Sequence, residues 1–188
     1  TYDFDLDGQE GFEVSQTTPL LNHTFPDSGR YRVQVRVTDD ESAIALRTLD
    51  INVGNLPPSG TLRFEGDNVR EGLVATADQG RPFEVVVDGN DPSQIDAASL
   101  SYNWDLDGDG IYEFLTSAPR QNLLFQTEGS KQVRCLIRDK DGGEVVIERE
   151  VLIAGRPPEL LSFTIESQPP YLEGSMITFH VDANDPDP

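Results

Sequence analysis

The densest chemistry in the chain lies in one short run, Asp105-Leu106-Asp107-Gly108-Asp109-Gly110-Ile111-Tyr112-Glu113. Carboxylates at loop positions 1, 3 and 5 (Asp105, Asp107, Asp109) can curl around one ion. Gly110 at position 6 permits the tight turn, and the backbone carbonyl of Ile111 at position 7 can point inward. Glu113 at position 9 adds a ligand directly or through water. An all-oxygen set with several carboxylates selects calcium over zinc or copper. The helix–loop–helix calcium motif needs a glutamate at position 12, where Thr116 stands. The alternative is a polar hairpin turn, in which Asp and Gly serve only backbone geometry.

Two other acidic groups carry the same question. Asp5, Asp7 and Glu13 repeat the loop with Gln9 in place of the third aspartate and Glu10 in place of the turn glycine, so calcium there is expected to bind more weakly. Asp88-Gly89-Asn90-Asp91-Pro92 and Asp182-Ala183-Asn184-Asp185-Pro186-Asp187 each follow a strand-like run. Asn/Asp-Pro clusters form turns by default. The sharper reading is a cation site at Asn90 and Asp91, shared with Asp139 and Asp141. Catalysis finds little support. His23 and His180 are the only histidines, they fall in different repeats, and neither sits in a triad or zinc pattern. Paired carboxylates that would hydrolyse sugars are better explained by their loop spacing.

The elements that must position these loops come in copies. Tyr2-Asp3-Phe4-Asp5-Leu6-Asp7-Gly8 returns as Tyr102-Asn103-Trp104-Asp105-Leu106-Asp107-Gly108, and the offset of 100 holds without a gap through Glu13/Glu113, Phe25/Phe125, Gly29/Gly129, Val33/Val133 and Asp39/Asp139. It ends at the paired prolines Pro57-Pro58 and Pro157-Pro158. Fixed-period self-similarity means an array of like units. The boundaries give a complete unit at 56–155, the second half of a unit at 1–55 and the first half of another at 156–188, where Gly174 to Pro186 parallels Gly80 to Pro92. Within the units, Tyr31, Val33, Val35 and Val37 alternate with Arg32, Gln34, Arg36 and Thr38, as Val133, Cys135 and Ile137 do later. That is the period of a strand with one wet face. Seven short strands are expected in the complete unit, near 61–64, 82–87, 99–105, 111–115, 121–126, 131–138 and 144–153, which indicates a two-sheet sandwich. The expected core is Phe83, Val85, Val87, Leu100, Tyr102, Trp104, Phe125, Val133, Cys135, Ile137, Val151 and Ile153. Tyr112 and Phe114 are the aromatics expected outside it.

Tyr102-Asn103-Trp104-Asp105-Leu106-Asp107-Gly108-Asp109-Gly110, then Phe125 and Gly129, then Val133 to Asp139 resemble the polycystic-kidney-disease-type (PKD) repeat. Its pattern is an aromatic–aspartate strand, a Gly-Asp-Gly turn, an aromatic–small–Gly step and an alternating strand ending in Asp. The resemblance covers 56–155 and both half-units. It implies an all-β fold of tandem immunoglobulin-like β-sandwiches in extracellular, often multidomain proteins, used as spacer, adhesive or substrate-presenting modules. Related modules carry calcium near the Asn90–Asp91 end. The sequence departs from the pattern where Phe-Gly-Asp-Gly becomes Leu106-Asp107-Gly108-Asp109-Gly110, an extra acidic step.

Charge narrows the partners. With 34 acidic against 14 basic residues the net charge is −20, so the chain repels nucleic acid and anionic lipid. Cys135 is the only cysteine and takes an apolar position in its strand, so it reads as a small core residue with no disulfide partner. No apolar run of about 20 residues suggests a membrane span, and the absence of a signal peptide says nothing about secretion because the chain starts inside a repeat. The reading is a non-catalytic extracellular or cell-surface module, secreted or displayed. It is a calcium-stiffened structural or adhesion spacer whose partners are the neighbouring repeats, a polysaccharide or a matrix protein. The alternative is a carbohydrate- or protein-binding accessory module of a secreted hydrolase. Self-association by strand complementation between the half-units is a further expectation, because unpaired edges and one-sided cores seek partners.

Overall fold

The computed structural model describes residues 1–156 and 158–185; Pro157 of the second proline pair, and Pro186 and Asp187 of the last acidic group, lie outside the described residues. The first unit is one sheet. Its strands β1 (Tyr2–Asp5), β2 (Val14–Gln16), β3 (Gly29–Thr38) and β4 (Ile44–Val53) run in the order β2-β1-β3-β4, all antiparallel.

The central unit adds β5 (Ser59–Glu65), β6 (Ala75–Asp78), β7 (Phe83–Asn90), a single helical turn α1 (Gln94–Ala97), β8 (Ser101–Asp105), β9 (Phe114–Thr116), β10 (Arg120–Leu123), β11 (Gly129–Arg138) and β12 (Glu144–Ala154). Two sheets result, β10-β7-β5 and β6-β12-β11-β8-β9. This is an immunoglobulin-like sandwich, and the run β9-β8-β11-β12 repeats the order of the first unit's sheet. A hairpin of β13 (Glu159–Ile165) and β14 (Phe179–Asn184) follows and repeats the antiparallel pairing of β5 with β7.

Period-2 alternation builds the core. On β11, Val133, Cys135 and Ile137 point inward while Arg134 and Arg138 stay half-exposed. Trp104 is fully buried opposite Cys135, and the other sheet supplies Leu62, Phe64, Phe83, Val85, Val87 and Leu123. Each such side chain stabilises the fold by roughly 1.5–3 kcal/mol relative to leaving it in water. Burial also pushes the Cys135 thiol up to about 12, so it is inert in the folded state.

The structure departs from the sequence expectation at four places. The unit has eight strands where seven were expected, since Ala75–Asp78 forms the parallel edge partner of β12. One turn of helix appears at Gln94–Ala97, with Ser93 Oγ accepting from the Asp96 amide as its cap. The strands expected at 111–115 and 121–126 are Phe114–Thr116 and Arg120–Leu123, because the acidic loop runs on to Glu113 and the chain leaves the ladder after Leu123. Phe125 is therefore only half-buried, packed on the rim of the core, and Leu123 takes the inner position.

The first unit's sheet has no second sheet over it among the described residues. Phe4, Leu6, Leu21, Phe25, Val33 and Ile51 line an open groove of about 350 Å³ on the face that corresponds to the core face of the central unit. The β13–β14 hairpin, the counterpart of the strands that cover that face in the central unit, leaves Phe163, Phe179 and Val181 exposed at 64%, 55% and 57%. Both surfaces stand to gain by association. The mass measured by light scattering is expected to rise with protein concentration, and a variant lacking 158–188 is expected to lose most of that rise. A particle of constant monomeric mass across the range would refute the complementation.

Candidate metal centre

The acidic loop of the central unit hangs between β8 and β9. Asp105 ends β8 and is fully buried; its Oδ1 accepts from the Gly108 amide at 2.7 Å, and its Oδ2 accepts from the Gly110 amide at 3.0 Å. The Arg134 guanidinium from the neighbouring β11 pairs with the same Oδ2 at 3.3 Å. Arg134 also pairs with Glu148, and these carboxylates hold its pKa above the ordinary arginine value, Glu148 contributing more than Asp105. Asp107 Oδ1 accepts from the Asp109 amide, Asp109 Oδ1 from the Ile111 amide at 2.7 Å, and Glu113 Oε2 from the Leu106 amide.

These bonds wrap the loop on itself, and they bring one carboxylate oxygen each of Asp105, Asp107, Asp109 and Glu113 within 4.8 Å of one another. Opposite ligands of a calcium ion at 2.3–2.6 Å are separated by about 4.6–5.2 Å, so oxygens gathered this closely can share one ion. Gly108 makes the wrap possible. Its φ is +79°, and an added Cβ would sit 2.9 Å from the Gln132 carbonyl. Ile111 takes its place through its amide bond to Asp109, with its side chain in solvent.

The first unit repeats the arrangement. Asp5, Asp7 and Glu13 bring oxygens within 4.8 Å, with Asp5 accepting from the Gly8 amide at 2.8 Å and Glu13 from the Leu6 amide at 2.6 Å. Position 34 is a glutamine where the central unit has Arg134. Gln34 bonds to Thr48 instead of to the loop.

The Asn90–Asp91 group behaves differently. Asn90 is exposed and its carbonyl accepts a long bond from Ser59 Oγ. Asp91 is buried; Oδ1 caps the Ser93 amide at 2.8 Å and Oδ2 has no hydrogen-bond partner. Asp139 accepts from Asn55 Nδ2 and from the Asp141 and Gly143 amides at 2.8–2.9 Å, which pins the turn after β11 to the linker. Gly143 is required there, because a Cβ would sit 2.8 Å from the Pro57 backbone. Asp141 gathers with Asp27 and Asp96, two residues outside every group singled out in the sequence. Asp27 had a signal, since the repeat places Thr127 at that position. Asp96 had none short of the fold.

No protein-family model matches the chain, and no curated protein does. Solved structures do. The PKD1 domain of Vibrio anguillarum Epp aligns with 53% of this chain and 96% of its own at 16% identity and a TM-score of 0.38. The fibronectin(III)-like modules of Clostridium thermocellum CbhA align with 81% of this chain and 76% of theirs at 12% identity and a TM-score of 0.40. An amphioxus IgVJ-C2 molecule aligns with 79% of this chain and 86% of its own at 14% identity and a TM-score of 0.42. All three are immunoglobulin-like sandwiches, and the fold assignment rests on the strand order described above. Among the described residues no helix is long and apolar enough to cross a membrane.

Proposed function

We propose that the chain is a non-catalytic module of tandem β-sandwiches that works outside the cell as a spacer or adhesive segment, stiffened by calcium in its acidic loops. The observation that supports it most is the gathering of Asp105, Asp107, Asp109 and Glu113 oxygens within 4.8 Å, repeated by Asp5, Asp7 and Glu13 at the equivalent place of the preceding unit. A turn alone needs one or two of those carboxylates. The ion would neutralise like charges that otherwise repel, and would tie β8 to β9 in the central unit and β1 to β2 in the first.

The test is a thermal melt with and without millimolar calcium. Loops of this class in extracellular modules bind at roughly 10⁻⁴–10⁻³ M. At about 1 mM calcium, ligand linkage then gives about 0.4–1.4 kcal/mol per site, a rise in Tm of roughly 1–6 °C for a chain of this size. Asp107→Ala is expected to remove a large part of the rise. An identical melt with calcium and with chelator would sink the proposal.

A second reading is supported by the apolar residues beside the loop. Ile111, Phe114 and Leu115 are 66%, 52% and 68% exposed on one short stretch, and exposed apolar side chains, aromatics above all, can contact sugars or protein chains. In that reading the module is an accessory of a secreted hydrolase. Retention on insoluble polysaccharide or collagen, lost in Phe114→Ala, would favour it over the spacer.

A further inference from the structure

Where the first unit meets the second, three aspartates from three separate segments converge. Asp27 lies in the turn before β3, Asp96 in α1 and Asp141 in the turn between β11 and β12, and one oxygen of each lies within 4.8 Å of the others. Lys140 is the cation among them, with Nζ 2.6 Å from Asp27, 3.1 Å from Asp96 and 2.5 Å from Asp141. Hydroxyls complete the surroundings: Ser93 Oγ bonds to Asp27 at 3.3 Å and Ser28 Oγ to Asp141 at 2.8 Å.

A cluster of acids is not a site by that fact alone. Here one member is buried with only part of the pairing that burial demands. Asp96 is 0% exposed, yet neither of its oxygens makes a well-formed hydrogen bond, and the Lys140 ammonium approaches only Oδ1. Buried carboxylates in folded proteins are paired or bound to a metal. Asp91 adds a second orphan, since its buried Oδ2 is unpartnered and the residue lines, with Asp27, Asn55 and Ser93, a cavity of about 230 Å³ between the units.

We propose that this junction is a calcium site held by Asp27 of the first unit and by Asp96 and Asp141 of the second, with Lys140 as the internal cation that a calcium ion displaces. With the ammonium displaced, one divalent ion offsets two of the three carboxylate charges, where Lys140 offsets one. Every donor gathered there is oxygen, which selects a hard cation. Calcium is favoured over magnesium because it accepts irregular sets of carboxylate oxygens, whereas magnesium demands near-ideal octahedral geometry and keeps several waters. Lys140 reaches the cluster on a flexible stem from an exposed position, so it can swing to solvent while the aspartates stay on their turns. Because the ligands come from both units, the ion fixes one unit against the next, which neither loop site can do.

This deepens the calcium reading above and rests on it, so the experiment separates the two. Calcium bound per chain is counted by equilibrium dialysis at millimolar calcium for the full chain, for a loop-depleted variant (Asp7→Asn, Asp107→Asn, Asp109→Asn) and for that variant with Asp27→Asn and Asp141→Asn added. The loop-depleted chain is expected to keep one calcium and the combined variant to lose it. Lys140→Met in the loop-depleted chain is expected to tighten the remaining site several-fold, since no ammonium has to leave. Uptake by the parent that vanishes entirely with the loop substitutions overturns the junction site and leaves the loop reading standing. Calcium retained after Asp27→Asn and Asp141→Asn, or an affinity unmoved by Lys140→Met, also overturns it. A parent that takes up none sinks both.

Discussion

Trp104→Ala is expected to lower the stability of the central sandwich by about 3–5 kcal/mol, the loss typical of truncating a large buried aromatic. Small domains hold only about 5–15 kcal/mol in total, so the variant will sit near the edge of folding. Trp104 is fully buried on β8, directly opposite Cys135 on β11, and its ring stacks at 6.5 Å on Tyr102. It therefore bridges the middle of the five-stranded sheet to the opposing sheet, and neighbouring strands cannot collapse into so large a space. Trp104→Phe is expected to cost much less than the lost ring volume implies. The indole Nε1 is buried without a hydrogen-bond partner, and removing it relieves a penalty of about 1–3 kcal/mol. Urea unfolding gives both values. Cys135 supplies an independent readout, because its thiol is shielded at 0% exposure and reacts with a thiol reagent only where the sandwich opens. A Trp104→Ala chain with parental midpoint and unreactive Cys135 would refute the packing argument.

How far the residues alone lead depends on how local each feature is. The alternation on β3 and β11 depends on near neighbours, so the all-β sandwich fold could be read directly. β6 could not, because Ala75-Thr76-Ala77-Asp78 is short and offers only two alanines for burial; it becomes a strand by parallel pairing to β12. Phe125 misled for the complementary reason. Its type predicts burial, but the chain has already left β10 at Leu123. The same division governs the acidic sites. Asp105 to Glu113 lie within one loop, and their gathering follows from spacing and two glycines. Asp91 was expected to share an ion with Asp139 and Asp141. Instead Asp139 is taken by the linker residue Asn55, while Asp141 turns toward Asp27 and Asp96. Those three positions meet only through tertiary packing, and nothing in their spacing announces it.

Asp105→Ala and Asp107→Ala are expected to differ in kind, and the difference separates turn chemistry from metal chemistry in one loop. Asp105 is buried and accepts from two backbone amides, Gly108 and Gly110, besides its pair with Arg134. Removing it strands two donors at about 1–3 kcal/mol for each one that water cannot reach, so a loss of about 2–4 kcal/mol is expected even in chelator. It also leaves Arg134 with Glu148, an exposed pair that contributes little, and with a 3.3 Å bond to the Gly108 carbonyl. Asp107 is exposed and accepts only from the Asp109 amide at 3.2 Å, so its truncation in chelator is expected to change stability by less than about 1 kcal/mol. With calcium both variants separate from the parent. Both variants lose a ligand, and the calcium-dependent part of the stability is expected to fall in each. Asp107→Ala therefore approaches the parent's stability in chelator, while Asp105→Ala lies below it under both conditions. Melts of the three proteins in calcium and in chelator form the full comparison. If Asp107→Ala matches the parent in calcium, the outer carboxylate serves the turn alone. If Asp105→Ala matches the parent in chelator, the buried carboxylate is not the anchor of the loop, and the ion would have to be what holds the loop in place.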